Sequence, residues 1–383
     1  MGSQVGTTAG SDAAGAPWTM ADIAAELGLS VATVSKVLNG RRDVAPGTRA
    51  RVEAAIEQHR YRRPPGRAAA RPALLELVLD ASHLAWSVQV LQGVHEVAAR
   101  ARVGVVLSDL GGEHRHAEDW VDDVLARRPL GVVLVRSGLD ATQRGRIESR
   151  GIPVVLVDID GEVATGVPTV GSGHWGGGLA ATRHLLALGH RRVAAVAGPS
   201  DVLASRARVD GYRTALEGAG LPVVPALVRH GAFSIDAGHA QARDLLSRAE
   251  PPTAIVAGSD LQAVGVLRAA SERGVRVPQD LSLVGYDDVP LAAWTDPPLT
   301  TVRQPLRAMA STAARMVLDL AQGRTPEHRR VDLATELVVR GTTAPPSPVG
   351  PRASVPPERA APAGRSPRGS GPRSPGAIGC RRV

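Results

Sequence analysis

Cysteine is almost missing from this chain of 383 residues, with Cys380 the only one. No internal disulfide can form, which excludes a disulfide-stapled secreted domain and fits a reducing compartment. Aromatic residues are 2% of the chain, with a single Phe, so the core must be built from Val, Leu and Ala. No stretch approaches the roughly 20 apolar residues a membrane helix needs. The first sixteen residues, rich in Gly, Ser, Ala and Thr, lack the basic and apolar runs of a secretory signal. A cytoplasmic protein without membrane attachment is expected. Lysine is nearly absent as well: Lys36 is the only one among 45 basic residues.

What is present is unevenly spread. Residues 17–72 hold ten Arg and Lys against five Asp and Glu, and residues 342–383 hold seven Arg against one Glu. The long middle is nearly neutral. Basic charge near the start is what phosphate contact requires.

The most informative stretch is Thr19-Met-Ala-Asp-Ile-Ala-Ala-Glu-Leu-Gly28, followed by Leu-Ser30-Val-Ala-Thr-Val-Ser-Lys-Val-Leu-Asn-Gly40. Met20, Ile23, Ala24 and Leu27 recur at helical spacing. Gly28 suits the left-handed residue that ends a helix, and Ser30 suits an N-cap for the next. The second helix buries Val34, Val37 and Leu38. Val31, Ala32, Thr33, Ser35 and Lys36 then face outward. This is a helix-turn-helix, whose second helix enters the DNA major groove. A third helix starts near Pro46.

Beyond it, residues 62–72 form a basic, proline-rich linker, with Arg67 and Arg71 among its charges. From residue 73 strands alternate with helices. Expected strands cover 74–79, 103–107, 131–135, 153–157, 193–197, 253–257 and 281–285. They read as near-continuous apolar runs, as strands buried on both faces should. Expected helices cover 88–100, 117–127, 182–188, 204–217, 237–248 and 261–272. The fold class is therefore α/β: an all-α headpiece followed by two doubly wound parallel-sheet lobes facing a cleft. The domains are residues 1–16, a disordered start; 17–61, the headpiece; 62–72, the hinge linker; 73–341, the two lobes; and 342–383, a disordered basic tail.

Two motifs suggest other chemistry. Gly171-Ser-Gly173-His-Trp-Gly176 matches the dinucleotide fingerprint, but no ribose-binding Asp or Glu follows the next strand. Its glycines suit close approach of backbone to a ligand at a helix N-terminus. Glu113-His-Arg-His116 lacks a partner set for a metal and reads as a solvated loop. No nucleophile elbow or P-loop lysine occurs. No catalytic residue, metal or cofactor is assigned, and the chain is expected not to be an enzyme.

Asp22-Ile-Ala, residues 28–40 and Thr48-Arg-Ala-Arg-Val-Glu-Ala-Ala-Ile56 closely resemble the headpiece of the lactose-repressor (LacI) family of bacterial transcription factors. Leu188-Gly-His-Arg-Arg192, Arg208-Val-Asp-Gly-Tyr212, residues 278–288 and residues 297–304 look like its effector-binding core. That core is similar to the type I periplasmic sugar-binding proteins. The resemblance covers residues 19–341.

It implies a transcription regulator, most often a repressor of sugar-utilisation genes. Its partners would be a near-palindromic operator DNA, a second copy of the chain in a homodimer, and a small carbohydrate-like effector. The protein would work at the nucleoid. A solute-binding protein without transcriptional role is the alternative, and the headpiece counts against it.

The DNA-contacting set implied is Thr19, Ser30, Val31, Ala32, Thr33, Ser35, Lys36, Asn39, Arg67 and Arg71, with Val31 and Ala32 suited to thymine methyls. The effector set is Trp86, Arg136, Asp158, Arg208, Phe233, Ser259 and Asp287. Arg208 would clamp a polar group, Asp287 would accept hydroxyls, and Phe233 would stack on a ring. Two departures stand out. Ser259 replaces the family's Asn, which should alter ligand choice. Ala70 replaces the leucine that wedges open the minor groove.

Ala70 is too short to wedge deeply, and Pro64-Pro65-Gly66 disfavours a continuous linker helix. Arginines instead favour a narrow, strongly negative groove. The linker should therefore bind electrostatically and bend DNA less than linkers that carry the leucine. Changing Arg67 and Arg71 to Ala should weaken DNA binding and flatten its salt slope by up to about two units. Binding measured across a salt series checks this; an unchanged slope would mean that these arginines never touch DNA.

Overall fold

The computed structural model describes residues 18–38, 41, 44–59, 61, 73–79, 84–109, 117–135, 141–158 and 166–347. Asn39, Arg67, Arg71, Arg136, the whole linker and the Glu113–His116 loop lie outside these residues.

Three helices form the headpiece: α1 (Met20–Leu27), α2 (Val31–Leu38) and α3 (Pro46–Gln58). Helix α1 opens with a capping box. The Thr19 hydroxyl accepts from the Asp22 amide at 3.3 Å, and the Asp22 carboxylate accepts from the Thr19 amide at 2.7 Å. Those bonds hold the Asp22 carboxyl below the usual carboxylate range. Gly28 ends α1 at φ +65°, and Ser30 Oγ accepts from the Thr33 amide at 3.1 Å to open α2. Ile23, Ala24, Val34, Val37, Leu38, Val52, Ala55, Ile56 and Tyr61 close over one small core.

The rest of the chain builds two six-stranded sheets. The first lobe uses β1 (Leu74–Leu79), α4 (Leu84–Arg100), β2 (Gly104–Asp109), α5 (Ala117–Arg127), β3 (Gly131–Val135), α6 (Ala141–Glu148), β4 (Val154–Val157) and β5 (Thr169–Ser172). The second uses α7 (His174–Ala187), β6 (Val193–Ala197), α8 (Leu203–Gly218), β7 (Val228–His230), α9 (Ile235–Leu246), β8 (Ala254–Ala257), α10 (Asp260–Glu272), β9 (Ser282–Asp287) and β10 (Thr300–Arg303). The chain then returns to the first lobe with α11 (Leu306–Ala321) and β11 (Arg330–Leu333), and ends in the second with β12 (Glu336–Val338). Strand order is β11-β5-β4-β3-β1-β2 in one sheet and β12-β10-β9-β8-β6-β7 in the other. Every pairing is parallel except β10 with β12. The chain crosses between lobes three times: from β5 into α7, from β10 into α11, and from β11 into β12. Each sheet carries an apolar core on either face.

The parallel sheets match the expectation; several details do not. The segment expected as a buried strand at 103–107 is an edge strand, and Leu107 is 55% exposed. Helix α4 begins at Leu84, not at residue 88. Helix α7 begins at His174, eight residues before the expected 182, because Gly176-Gly-Gly178 hides its pattern. Those glycines serve packing. A Cβ at Gly178 would collide with the Arg208 carbonyl, and one at Gly211 with the Trp175 carbonyl, so α7 and α8 cross backbone to backbone. Gly176, by contrast, faces open space. The returning strands β11 and β12 carry too little apolar pattern to be read. The ordered fold also runs past residue 341. Thr342 is fully buried, its hydroxyl donates to the Leu283 carbonyl at 2.7 Å, and description continues to Ser347.

The crossing of α7 on α8 makes a contrast on one helix. Gly211→Ala should cost about 1–3 kcal/mol by overpacking. Gly218→Ala, whose Cβ would meet nothing, should cost none. Urea unfolding of both variants checks this; equal midpoints would contradict the close crossing.

Candidate functional site

The outer face of α2 is open. Val31 is 46% exposed, Ala32 and Lys36 are exposed, and Thr33 and Ser35 are half-buried. Ser30 and Thr33 hydroxyls lie 2.8 Å apart at the helix start. Thr19 is spent on capping α1, although its backbone remains exposed. An exposed valine at the start of a helix lacks a folding reason, since burial would stabilise it by about 1.5–3 kcal/mol. Trp18 adds a feature that the sequence reading missed. Its ring stacks on His59 at 3.6 Å, tying the start of α1 to the end of α3.

A second site forms where strand ends of the two lobes meet. Asp158 follows β4, Ser172 ends β5, Gly258 follows β8, Asp287 ends β9 and Gln304 follows β10. Ligands of open α/β sheets bind beyond the carboxyl ends of their strands. Here those ends are bound to each other. Asp158 Oδ1 and His174 Nε2 lie 2.5 Å apart. His174 Nδ1 lies 3.3 Å from Arg208 Nη2. Arginine has only donors, so Nδ1 accepts and the imidazole proton sits on Nε2, donated to Asp158. Arg208 Nη1 donates to the Gly258 carbonyl at 2.5 Å and lies 3.8 Å from Asp287 Oδ1. Gln304 Nε2 donates to Asp287 Oδ1 at 2.5 Å, and Ser172 Oγ donates to Gln304 Oε1 at 2.8 Å. Read in order, Asp158, His174, Arg208, Asp287, Gln304 and Ser172 form a polar chain that starts and ends on the first lobe and passes through the second.

Its surroundings are apolar and tight. The Arg208 guanidinium sits 3.8 Å from the centre of the Tyr286 ring, a cation–π contact in a desolvated place. Burial pushes the Tyr286 hydroxyl up to about 12, so it stays neutral. Asp260, fully buried at the start of α10, accepts from Thr301 Oγ1 at 2.6 Å and from the Val289 amide at 2.9 Å. Burial first, then the Asp287 charge, pushes Asp260 well above the usual carboxylate range. Asp158 and Asp287 hold φ of +51° and +112°. Backbone strain of this kind costs roughly 1–3 kcal/mol per residue and gathers at working sites.

Of the residues expected here, Asp158, Arg208 and Asp287 come together. Phe233 is 4% exposed; its ring lies against Gly198 and 5.6 Å from the Arg208 guanidinium, so it walls the site from behind. Ser259 is buried and caps α10, accepting from the Gln262 amide at 3.1 Å. Trp86, 6% exposed, packs in the first lobe's core. His174, Tyr286, Gln304 and Ser172 were missed. His174 stood inside the glycine motif, where only the glycine backbone was given a role. Tyr286 and Gln304 stood in the quoted family text without a role. Among the described residues no three His, Cys, Asp or Glu side chains gather as a metal site.

Comparison with known proteins places both regions in known families. Residues 19–64 match the family described as "Bacterial regulatory proteins, lacI family", and residues 182–343 match "Periplasmic binding protein-like domain". The chain is 36% identical over 338 residues to the HTH-type transcriptional regulator MalR of Streptomyces coelicolor, covering 85% of this chain and 96% of that protein. It is 36% identical to the HTH-type transcriptional regulator CelR of Thermobifida fusca, covering 84% and 97%. Among solved structures, a transcriptional regulator CelR–cellobiose complex shares 34% identity, with a TM-score of 0.65 over 85% of this chain and 99% of that one. The lac repressor dimer bound to operator and an anti-inducer shares 30% identity, with a TM-score of 0.63 over 86% and 100%. By identity sustained over nearly the whole length of these regulators, the chain belongs to the lacI family of bacterial regulatory proteins.

Proposed function

We propose that this protein is a homodimeric, sequence-specific repressor of sugar-utilisation genes, acting in the cytoplasm and released from or retained on its operator by a sugar. The observation that carries the reading is the polar chain from Asp158 to Ser172, which spans both lobes. A polyol entering there would exchange internal hydrogen bonds for its own and so change how the lobes close. Asp158 and Asp287 would accept sugar hydroxyls, Arg208, His174 and Gln304 would donate, and Phe233 and Trp86 would supply apolar walls. Ser259 is committed to its cap and would act through the shape of the site. The cellobiose bound by a relative supports a glucoside as the first ligand class to try.

At the other end, α2 would lie in the major groove. Val31 and Ala32 would meet thymine methyls, and Thr33, Ser35 and Lys36 would meet base edges or phosphates. Ser30, with Thr19 at the mouth of α1 and Asn39 beyond α2, would contact the backbone. Two headpieces related by a dimer two-fold would read a near-palindrome. A gel shift with the DNA upstream of the protein's own gene, with and without cellobiose and maltose, tests the reading directly. No shift at low salt would refute it.

A pair of variants separates the two sites. Lys36→Ala should weaken operator binding by roughly 1–3 kcal/mol if it reads a base, and leave sugar affinity unchanged. Asp287→Asn should still bind the operator, shifted only as far as lobe closure shifts, and weaken the sugar by about 1.5–3 kcal/mol, through loss of a charge-assisted hydrogen bond. Calorimetry with the sugar and anisotropy with the operator check both. Wild-type sugar affinity in Asp287→Asn would sink the effector assignment.

A further inference from the structure

Arg150 joins two parts of the molecule that nothing above connects. It lies just past α6, with its side chain only 8% exposed. Nε donates to the Leu38 carbonyl at 2.6 Å and Nη2 to the Val37 carbonyl at 2.7 Å, both at the end of α2. Nη1 donates to the Arg146 carbonyl of α6 at 3.3 Å. One guanidinium thus caps the carbonyl ends of two helices, where unpaired carbonyls and the helix dipoles both favour a cation. Glu53 of α3 lies 4.0 Å away as counter-charge. Burial pulls the Arg150 pKa down to about 10, against that pairing, and the group remains a cation at neutral pH. Burying a charge this fully is costly unless it is matched by partners, so the contact is specific.

Two further facts give the contact a direction. It engages the last residues of α2, while Val31, Ala32 and Lys36 stay exposed. The docked headpiece can therefore still present its outer face. Arg150 also leads through Gly151, Ile152 and Pro153 into β4, which ends at Asp158 in the interlobe chain. Eight residues of mostly extended backbone, roughly 25 Å, separate the two.

We propose that Arg150 docks the headpiece onto the first lobe, and that β4 links the Asp158–His174 pair to the recognition helix by a route separate from the linker. Arg150 acts as a positioning residue. It holds α2 in one orientation before DNA arrives, so less freedom is lost on binding. The function this would serve rests on the DNA-binding reading above; the docking itself does not.

Hydrogen exchange on the full chain, without DNA or sugar, tests the docking. Arg150→Ala should speed exchange across residues 34–41 and 146–153 while the lobes' far-UV spectrum and unfolding midpoint hold. Arg150→Lys, which keeps the charge but cannot fork to three carbonyls, should fall between. Asp158→Asn should alter exchange over residues 34–41 through β4. On a duplex selected from a random library by the wild-type protein, Arg150→Ala should bind about fivefold or more weakly, the lower edge of ordinary coupling between sites. Unchanged exchange in Arg150→Ala would overturn the docking, and unchanged exchange in Asp158→Asn would overturn the β4 route. Equal or tighter DNA binding by Arg150→Ala would overturn its positioning role. Failure of the wild type to select any DNA would leave the exchange results standing and count only against the DNA-binding reading.

Discussion

A guanidinium taken out of water must be surrounded by acceptors and by faces that tolerate charge, and Arg208 sets this requirement at the centre of the molecule. Its side chain is 8% exposed. The Gly258 carbonyl, the Asp287 carboxylate, the His174 ring and the Tyr286 face surround it, while its buried Nε makes no hydrogen bond. These groups come from three places, the end of β8, the end of β9 and the start of α7, so one cation holds these elements together. His174 and Asp287 pass the constraint on to the first lobe, through Asp158 and through Gln304 with Ser172. The contact between the lobes and the geometry of the proposed sugar site therefore rest on the same set of hydrogen bonds. A ligand that replaces some of them changes the other by necessity.

Rigidity around that set comes from how the helices meet. Gly178 and Gly211 let α7 and α8 touch backbones, and Gly238 and Gly265 do the same for α9 and α10. In the first lobe Gly93 of α4 faces α11 in the same way. Helix pairs that close have little room to slide, so each lobe moves as a body. The three crossings and the polar chain join one lobe to the other. Such an arrangement converts small changes at a ligand into a change of closure.

Much of this was legible in the sequence. The headpiece was readable because Gly28, Ser30 and the spacing of Ile23, Ala24, Val34, Val37 and Leu38 all agree with one local structure. The parallel sheets were readable because buried strands are written as runs such as Gly131-Val-Val-Leu-Val135. Arg208 and Asp287 were singled out through family text and Asp158 through its place at a strand end, and the structure brings the three together. What failed did so for physical reasons. A helix rich in glycine loses its periodicity, which hid the start of α7 and with it His174. The returning strands β11 and β12 bury one face at most, so they carry weak patterns, and the apolar run of β2 does not reveal that it sits at a sheet edge. Arg150 sits in no motif, because its partners are main-chain carbonyls more than a hundred residues away. The sequence does not show how deeply Phe233 and Trp86 are packed, at 4% and 6% exposed. Ser259 was read as a ligand group and is spent on a cap.

On the proposed function, a sugar in the interlobe site and DNA on α2 act on one equilibrium. Linkage makes that claim measurable without knowing its direction, because whatever factor the sugar imposes on operator affinity, the operator must impose on sugar affinity. The direct measurement is sugar affinity, by calorimetry, in free protein and in protein saturated with a selected operator duplex, beside operator affinity with and without the sugar. The account predicts two equal factors, each about fivefold or larger. Sugar binding of identical affinity with and without operator would contradict it.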